Sequence, residues 1–294
     1  MFANFHAFER HVNGITLRGV IGGVGAPLLL LHGFPQSHVM WHKLVPLIAH
    51  RYTLIVPDLR GYGISDKPDS TSDHSTYSKR VMAQDLLELM HAFGYQRWDV
   101  CAHDRGARVA HRLAMDHPAA VHRLMLLDIS PTLAMYEQTT MEFAKAYWWW
   151  FFLIQPAPFP EGMILANPEH FLLKKIGYGR AGLTPFSADA YAHYLRAMRD
   201  PATVHAMCED YRAAAAIDLD HDRADRDAGR KLACPTRVLW GEHGVVNRCF
   251  APLADWARVA FEVSGQTLPS GHYIAEEIPE ILAPEIEAFF IDVV

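Results

Sequence analysis

Trp98-Asp99-Val100-Cys101-Ala102-His103-Asp104-Arg105-Gly106-Ala107-Arg108 is the stretch that decides how this chain is read. An apolar run passes straight into a tight turn, with Ala102 and Gly106 two residues either side of Asp104. Small–x–nucleophile–x–small predicts a strand, a sharp turn and a helix that lift one reactive side chain above a sheet edge. With Ser at the centre, the turn would serve acyl transfer. Asp104 stands there instead, and a carboxylate can displace a leaving group from an sp³ carbon, giving an ester that water then hydrolyses.

Strand signals flank this turn on both sides. Arg10 to Ile21 roughly alternates apolar and polar residues, which reads as a strand or hairpin. Gly19, Gly22, Gly23 and Gly25 resemble a dinucleotide loop, but no helix opens after them. Pro27 to Leu31 and Tyr52 to Asp58 are continuous apolar runs of the kind buried on both faces of a sheet. The first ends in His32-Gly33-Phe34-Pro35, and the second leads into Asp58-Leu59-Arg60-Gly61-Tyr62-Gly63. Helical spacing is expected from Tyr77 to Phe93, a strand over Leu124 to Asp128, and further strands at Thr236–Gly241 and near Leu268. A closing amphipathic helix is expected from Pro279 to Phe290. Between Pro131 and Lys231 the pattern changes to helices rich in aromatics and broken by prolines. Strands alternating with helices predict an α/β fold with a mostly parallel sheet flanked by helices. Residues 1–130 and 232–294 would form the core domain, with 131–231 an inserted helical cap over the strand ends.

A chain of 294 residues is long enough to bury a sizeable core. Its formal charge of −6 and pI near 6.3 offer no basic stripe for nucleic acid, although a small anion responds to local charge. Cys101, Cys208, Cys234 and Cys249 are scattered, which suits free thiols in a reducing compartment. The N-terminus lacks a signal-peptide pattern, and no apolar run is long enough for a bilayer. A cytoplasmic protein is expected, with no membrane or nucleic-acid partner. No metal-ligand spacing is present, so no metal and no cofactor are expected.

A nucleophile needs a base, and the base needs an orienting acid. His272, in Pro269-Ser270-Gly271-His272, is the late histidine that follows a small-residue turn, where the base belongs in the order nucleophile, acid, histidine. The acid commonly follows the next strand in a Trp-Gly-x-x-Asp pattern. Here that run is Trp240-Gly241-Glu242-His243-Gly244, with glycine in the acid's place. Asp128, ending Leu126-Leu127-Asp128, is the preferred acid, and Glu242 is the fallback.

His32-Gly33-Phe34-Pro35, His103-Asp104-Arg105-Gly106-Ala107-Arg108 and Ser270-Gly271-His272 together resemble the α/β-hydrolase superfamily. More narrowly, the chain resembles the fluoroacetate (haloacetate) dehalogenases, including the segments Gln155 to Pro160 and Asp210-Tyr211-Arg212-Ala213. Arginine directly after the nucleophile is the specific part, since the haloalkane dehalogenases it also resembles usually carry Trp there. The resemblance implies hydrolysis of short 2-haloacids through an Asp104 ester. Arg105 and Arg108, close together on the first helical turn, would hold the substrate carboxylate, for which a guanidinium fork is matched. Backbone N–H groups of Phe34 and Arg105 would form the oxyanion hole. Trp150 and Tyr211 would bind the halide, with Trp149 standing where the family has a histidine. The larger indole, which cannot carry a proton as an imidazolium does, should favour chloride and bromide over fluoride. A homodimer is likewise implied by the resemblance alone.

Two alternatives use the same scaffold. An epoxide hydrolase shares the Asp nucleophile and the His–acid pair, and needs two cap tyrosines, for which Tyr147 and Tyr211 are available. A non-catalytic small-ligand receptor is the other, because fold does not fix function.

Overall fold

The computed structural model describes residues 1–290. Strands β1 (Phe5–Val12) and β2 (Ile15–Gly23) form a hairpin. Its turn, Asn13-Gly14, takes positive φ at both residues, the conformation that Asn-Gly accepts most readily. β3 (Ala26–Leu31), β4 (Tyr52–Pro57), β5 (Trp98–His103), β6 (Val121–Leu127), β7 (Thr236–Gly241) and β8 (Val263–Leu268) complete one sheet, in the order β1-β2-β4-β3-β5-β6-β7-β8. The β1–β2 and β2–β4 pairs are antiparallel, and all the others are parallel. Leu28 to Leu31 and Leu124 to Leu127 have no exposed surface, so the continuous apolar runs are strands covered on both faces.

The strand order explains where the site lies. β3 and β5 are neighbours, yet the chain leaves β3 towards β4 on one side and β5 towards β6 on the other. Connections that diverge from adjacent parallel strands open a crevice at the strands' C-terminal ends. Into it run His32-Gly33-Phe34 after β3, Asp104 after β5 and Asp128 after β6, with His272 on the loop beyond β8. The helix expected from Tyr77 starts two residues later, spanning Lys79–Ala92. Ser75–Tyr77 forms a separate 3₁₀ turn, and Ser78, in extended conformation, caps the helix by accepting the Val81 N–H.

Between β6 and β7 the structure is helical, from Thr132–Glu137 to Ile217–Asp227. Asp210, in the helix Pro201–Ala214, ties this segment to the core: the Tyr62 hydroxyl donates to it at 2.6 Å, and Arg105 and Lys79 pair with it. Tyr211 beside it sets its ring edge-on to Phe34 at 5.2 Å. Among the described residues no helix is long and apolar enough to cross a membrane.

Candidate active site

Asp104 opens the helix Asp104–Asp116 with φ at +46°, a left-handed backbone that costs energy and persists only where packing enforces it. That packing is visible at two glycines. A Cβ on Gly33 would lie 2.4 Å from the Asp104 Cβ, and one on Gly106 would lie 2.3 Å from the His32 carbonyl oxygen. Close approach therefore requires both to lack a side chain. The Phe34 N–H donates to Asp104 Oδ1 at 2.9 Å. Burial pushes the Asp104 carboxyl up, but His272, His103, Lys175 and Arg108 around it outweigh that and hold it at about 2. Asp104 is thus held ionised although it is buried.

His272 Nδ1 lies 2.6 Å from Asp128 Oδ2, and its Nε2 faces Asp104 Oδ2 at 3.8 Å, too far for a hydrogen bond. The Gly241 N–H donates to Asp128 Oδ1 at 3.0 Å and fixes the carboxylate. Burial drives Asp128 up and His272 down, to about 4, because each would be charged out of water. At neutral pH the short bond between them holds one proton, and Nε2 is left as a free acceptor. The His103 ring lies tilted against that of His272, centroids 4.6 Å apart, and donates from Nε2 to the His272 carbonyl at 2.8 Å. A Cβ on Gly244 would lie 3.2 Å from Asp128 Oδ1, so an acid after β7 and one after β6 would compete for the same space. Glu242 instead is exposed and lies 3.2 Å from His243.

The two arginines after the elbow are not equivalent. Arg105 donates from Nε and Nη2 to the Asp210 carboxylate at 2.8 and 2.9 Å, and from Nη2 to its backbone oxygen at 2.7 Å. Of the fork expected to face a substrate carboxylate, only Nη1 lacks a protein partner. Arg108 is equally buried but meets no carboxylate among the described residues. Its nitrogens reach the Thr132 hydroxyl at 2.9 Å, the Ser130 carbonyl at 3.3 Å and the Met135 sulfur at 3.2 Å, and Nε has no partner. Burial, and then the neighbouring Arg105, draw its pKa down.

Three further buried donors without a protein partner belong to rings on or next to these guanidiniums: the Trp150 indole N–H and the Tyr136 and Tyr211 hydroxyls. Arg108 lies 4.7 Å over the Trp150 ring, and Arg105 lies 4.1 Å over that of Tyr211. Trp150 in turn meets Tyr136 at 5.0 Å and Tyr211 at 6.3 Å. An orphaned buried donor is costly, and five on one set of touching side chains make a site built for an anion or other acceptor. Trp149 has different neighbours: its ring meets Tyr147 at 4.6 Å, Tyr178 at 5.3 Å and the Lys175 ammonium at 4.2 Å. Asp210, Tyr136 and Lys175 were not singled out in the sequence. Asp210 stands beside Tyr211 in the segment Asp210-Tyr211-Arg212-Ala213, whereas nothing in the local pattern marks Lys175.

Comparison with known proteins places this geometry. A family model described as the alpha/beta hydrolase fold matches residues 26–244. The chain is 42% identical to a fluoroacetate dehalogenase from Burkholderia sp over 98% of this chain and 95% of that one. It is 31% identical to a soluble epoxide hydrolase from Corynebacterium sp., over 95% of each. The crystal structure of an α/β-hydrolase from Nostoc sp PCC 7120 superposes with a TM-score of 0.96 at 52% identity, covering 98% of this chain and 99% of that one. With the elbow, the His–acid pair and the sheet order in place, the chain belongs to the α/β-hydrolase family.

Proposed function

We propose that this protein hydrolyses the carbon–halogen bond of short 2-haloacids, converting haloacetate and water to glycolate, halide and a proton. The observation that carries this is Arg108, a buried guanidinium without a carboxylate partner, beside the ionised Asp104. Such a cation calls for an anion that the protein itself does not supply. A haloacid brings a carboxylate one carbon from its leaving group, matching Arg108 and the free Nη1 of Arg105.

Oδ2 of Asp104 attacks the halogen-bearing carbon in line, and the C–X bond breaks with its electron pair on the halide. The Trp150 N–H and Tyr211 O–H, both unpartnered, stabilise the departing anion. Water, losing its proton to His272 Nε2, then attacks the Asp104 carbonyl carbon. Negative charge gathers on Oδ1, where the Phe34 N–H already donates and the Arg105 N–H is the second candidate donor. Asp128 orients the imidazole and stabilises the imidazolium. Collapse of the tetrahedral centre releases glycolate and regenerates Asp104.

Halide release from fluoro-, chloro- and bromoacetate, with styrene oxide as the contrast, tests this. Chloride and bromide should be released faster than fluoride, since Trp149 offers no imidazolium. A second reading, epoxide hydrolysis, has specific support in the Tyr147 hydroxyl, 3.4 Å from His272 Nδ1, and in the unpartnered hydroxyl of Tyr211. Diol formation from styrene oxide without halide release from any acid would put that reading first. Saturable binding with no turnover of either class would leave a ligand receptor.

A further inference from the structure

A cavity of about 400 Å³ opens between the helical segment and the loops after β7 and β8, and His272 and Tyr273 form part of its wall. Its charged lining is one-sided. Lys145, Arg180 and Arg248 border it, with His243 set 3.3 Å from Arg180 Nη1. Arg248 is answered by Glu142 at 2.7 Å, while Lys145 and Arg180, both exposed, have no carboxylate partner among the described residues. Glu277 is the lone carboxylate of the lining, and the Gly271 and Tyr273 N–H groups already donate to its two oxygens at 2.7 and 2.9 Å.

A further cation stands just inside. Lys175 is 1% exposed, and its ammonium donates to the Tyr273 hydroxyl at 2.8 Å. The rings of Trp149, Tyr273, Phe34 and Tyr178 surround it at 4.2, 5.2, 5.6 and 5.6 Å. Burial draws its pKa down to about 7 against the opposing pull of Asp104 and Asp128. Tyr178 and Tyr273 also line the cavity, while Phe34 holds the nucleophile through its N–H, so Lys175 bridges the cavity wall and the reacting centre. The chain as a whole carries a net charge of −6, which repels anions at long range. A local cluster of unpaired cations that ends at His272 is what an anionic substrate needs to enter.

We propose that this cavity is the entrance for the substrate: Lys145 and Arg180 gather the anion at the mouth, and Lys175 carries positive charge from the wall to Asp104. This rests on the haloacid function proposed above and adds the route and its driving force.

The test is the salt dependence of chloroacetate turnover, with ionic strength set by sodium gluconate, whose anion is too bulky for the halide donors. Raising it from about 10 mM to about 150 mM shortens the screening length from about 30 Å to about 8 Å. Wild-type kcat/KM should fall roughly threefold to fivefold, all of it in KM. Lys145→Glu combined with Arg180→Glu should lose about fivefold in kcat/KM at low salt, keep its kcat, and lose the salt slope. Lys175→Met should raise KM about tenfold at low salt while remaining folded, because its surroundings are aromatic. An unchanged KM and slope in the charge-reversed variant would overturn the proposal, and an unchanged KM in Lys175→Met would remove Lys175 from it. Halide release by the wild type tests the underlying function separately. Chloroacetate binding to Asp104→Asn, followed by tryptophan fluorescence, repeats the salt series without turnover. A Kd indifferent to salt and to the charge reversal there overturns the entrance even where no halide is released.

Discussion

Arg105 and Arg108 leave the same helix one turn apart, are both buried, and yet live in opposite electrostatic surroundings. Arg105 is locked by Asp210, which also takes the Lys79 ammonium and the Tyr62 hydroxyl, so that corner is neutralised and mechanically fixed. Arg108 has a hydroxyl, a carbonyl and a sulfur around it and no anion. The first arrangement holds the helical segment onto the sheet; the second leaves a buried charge without an anion, which the proposed substrate carboxylate would pair with. Buried charge thus does two jobs here, and the presence of a carboxylate partner separates them.

Several substitutions would break or sharpen that contrast. Asp104→Asn removes the proposed nucleophile beside the two arginines and should abolish halide release, by at least about 10⁴-fold, with an unchanged circular dichroism spectrum. Asp210→Asn leaves Arg105 and Lys79 facing a neutral amide, and should cost about 3–5 kcal/mol in denaturant unfolding. Arg108→Met should act in the opposite sense on stability: removing an unpaired buried cation should raise stability by about 1–3 kcal/mol, while kcat/KM for chloroacetate falls about 10²-fold or more. Should Arg108→Met destabilise the fold as Asp210→Asn does, the distinction between the two arginines is lost.

The remaining predictions concern smaller effects. His272 must be neutral to act as base, and burial lowers its pKa to about 4 from the ordinary imidazole value. Activity is therefore present above that value and lost as pH falls through it, about tenfold per pH unit, whereas a limb near 6.5 in a kcat profile would mean a solvated imidazole. Trp149→His restores a donor of the type the resembled family uses. It should raise the ratio of fluoride to chloride release by about tenfold at most, the worth of one hydrogen bond, as read by an ion-selective electrode.

Much of the fold was legible because local pattern and tertiary role coincide. Leu28 to Leu31 can be buried on both faces only inside a covered sheet, and the flanking small residues leave few options for a turn at Asp104. His272 and Asp128 could be proposed from chain order, and the structure sets them 2.6 Å apart. Glu242 stayed open as the acid until the fold placed it on the surface and set position 244 against the Asp128 carboxylate. That position 244 and the Asp128 carboxylate share one volume could not be read in one dimension, because it depends on how two loops pack.

By itself, the sequence determined the α/β class and the tight turn that presents a carboxylate with two arginines beside it, since strand periodicity and turn chemistry are local properties of a few residues. Which arginine is neutralised and which is left waiting was decided only by tertiary structure. Asp210 lies 105 residues from Arg105 along the chain and meets it only when the helix Pro201–Ala214 packs over the crevice. Lys175 likewise reads as an ordinary helix lysine until four aromatic rings from four stretches of the chain close around it. Charge state and partnership depend on distance in space, and only the fold supplies that.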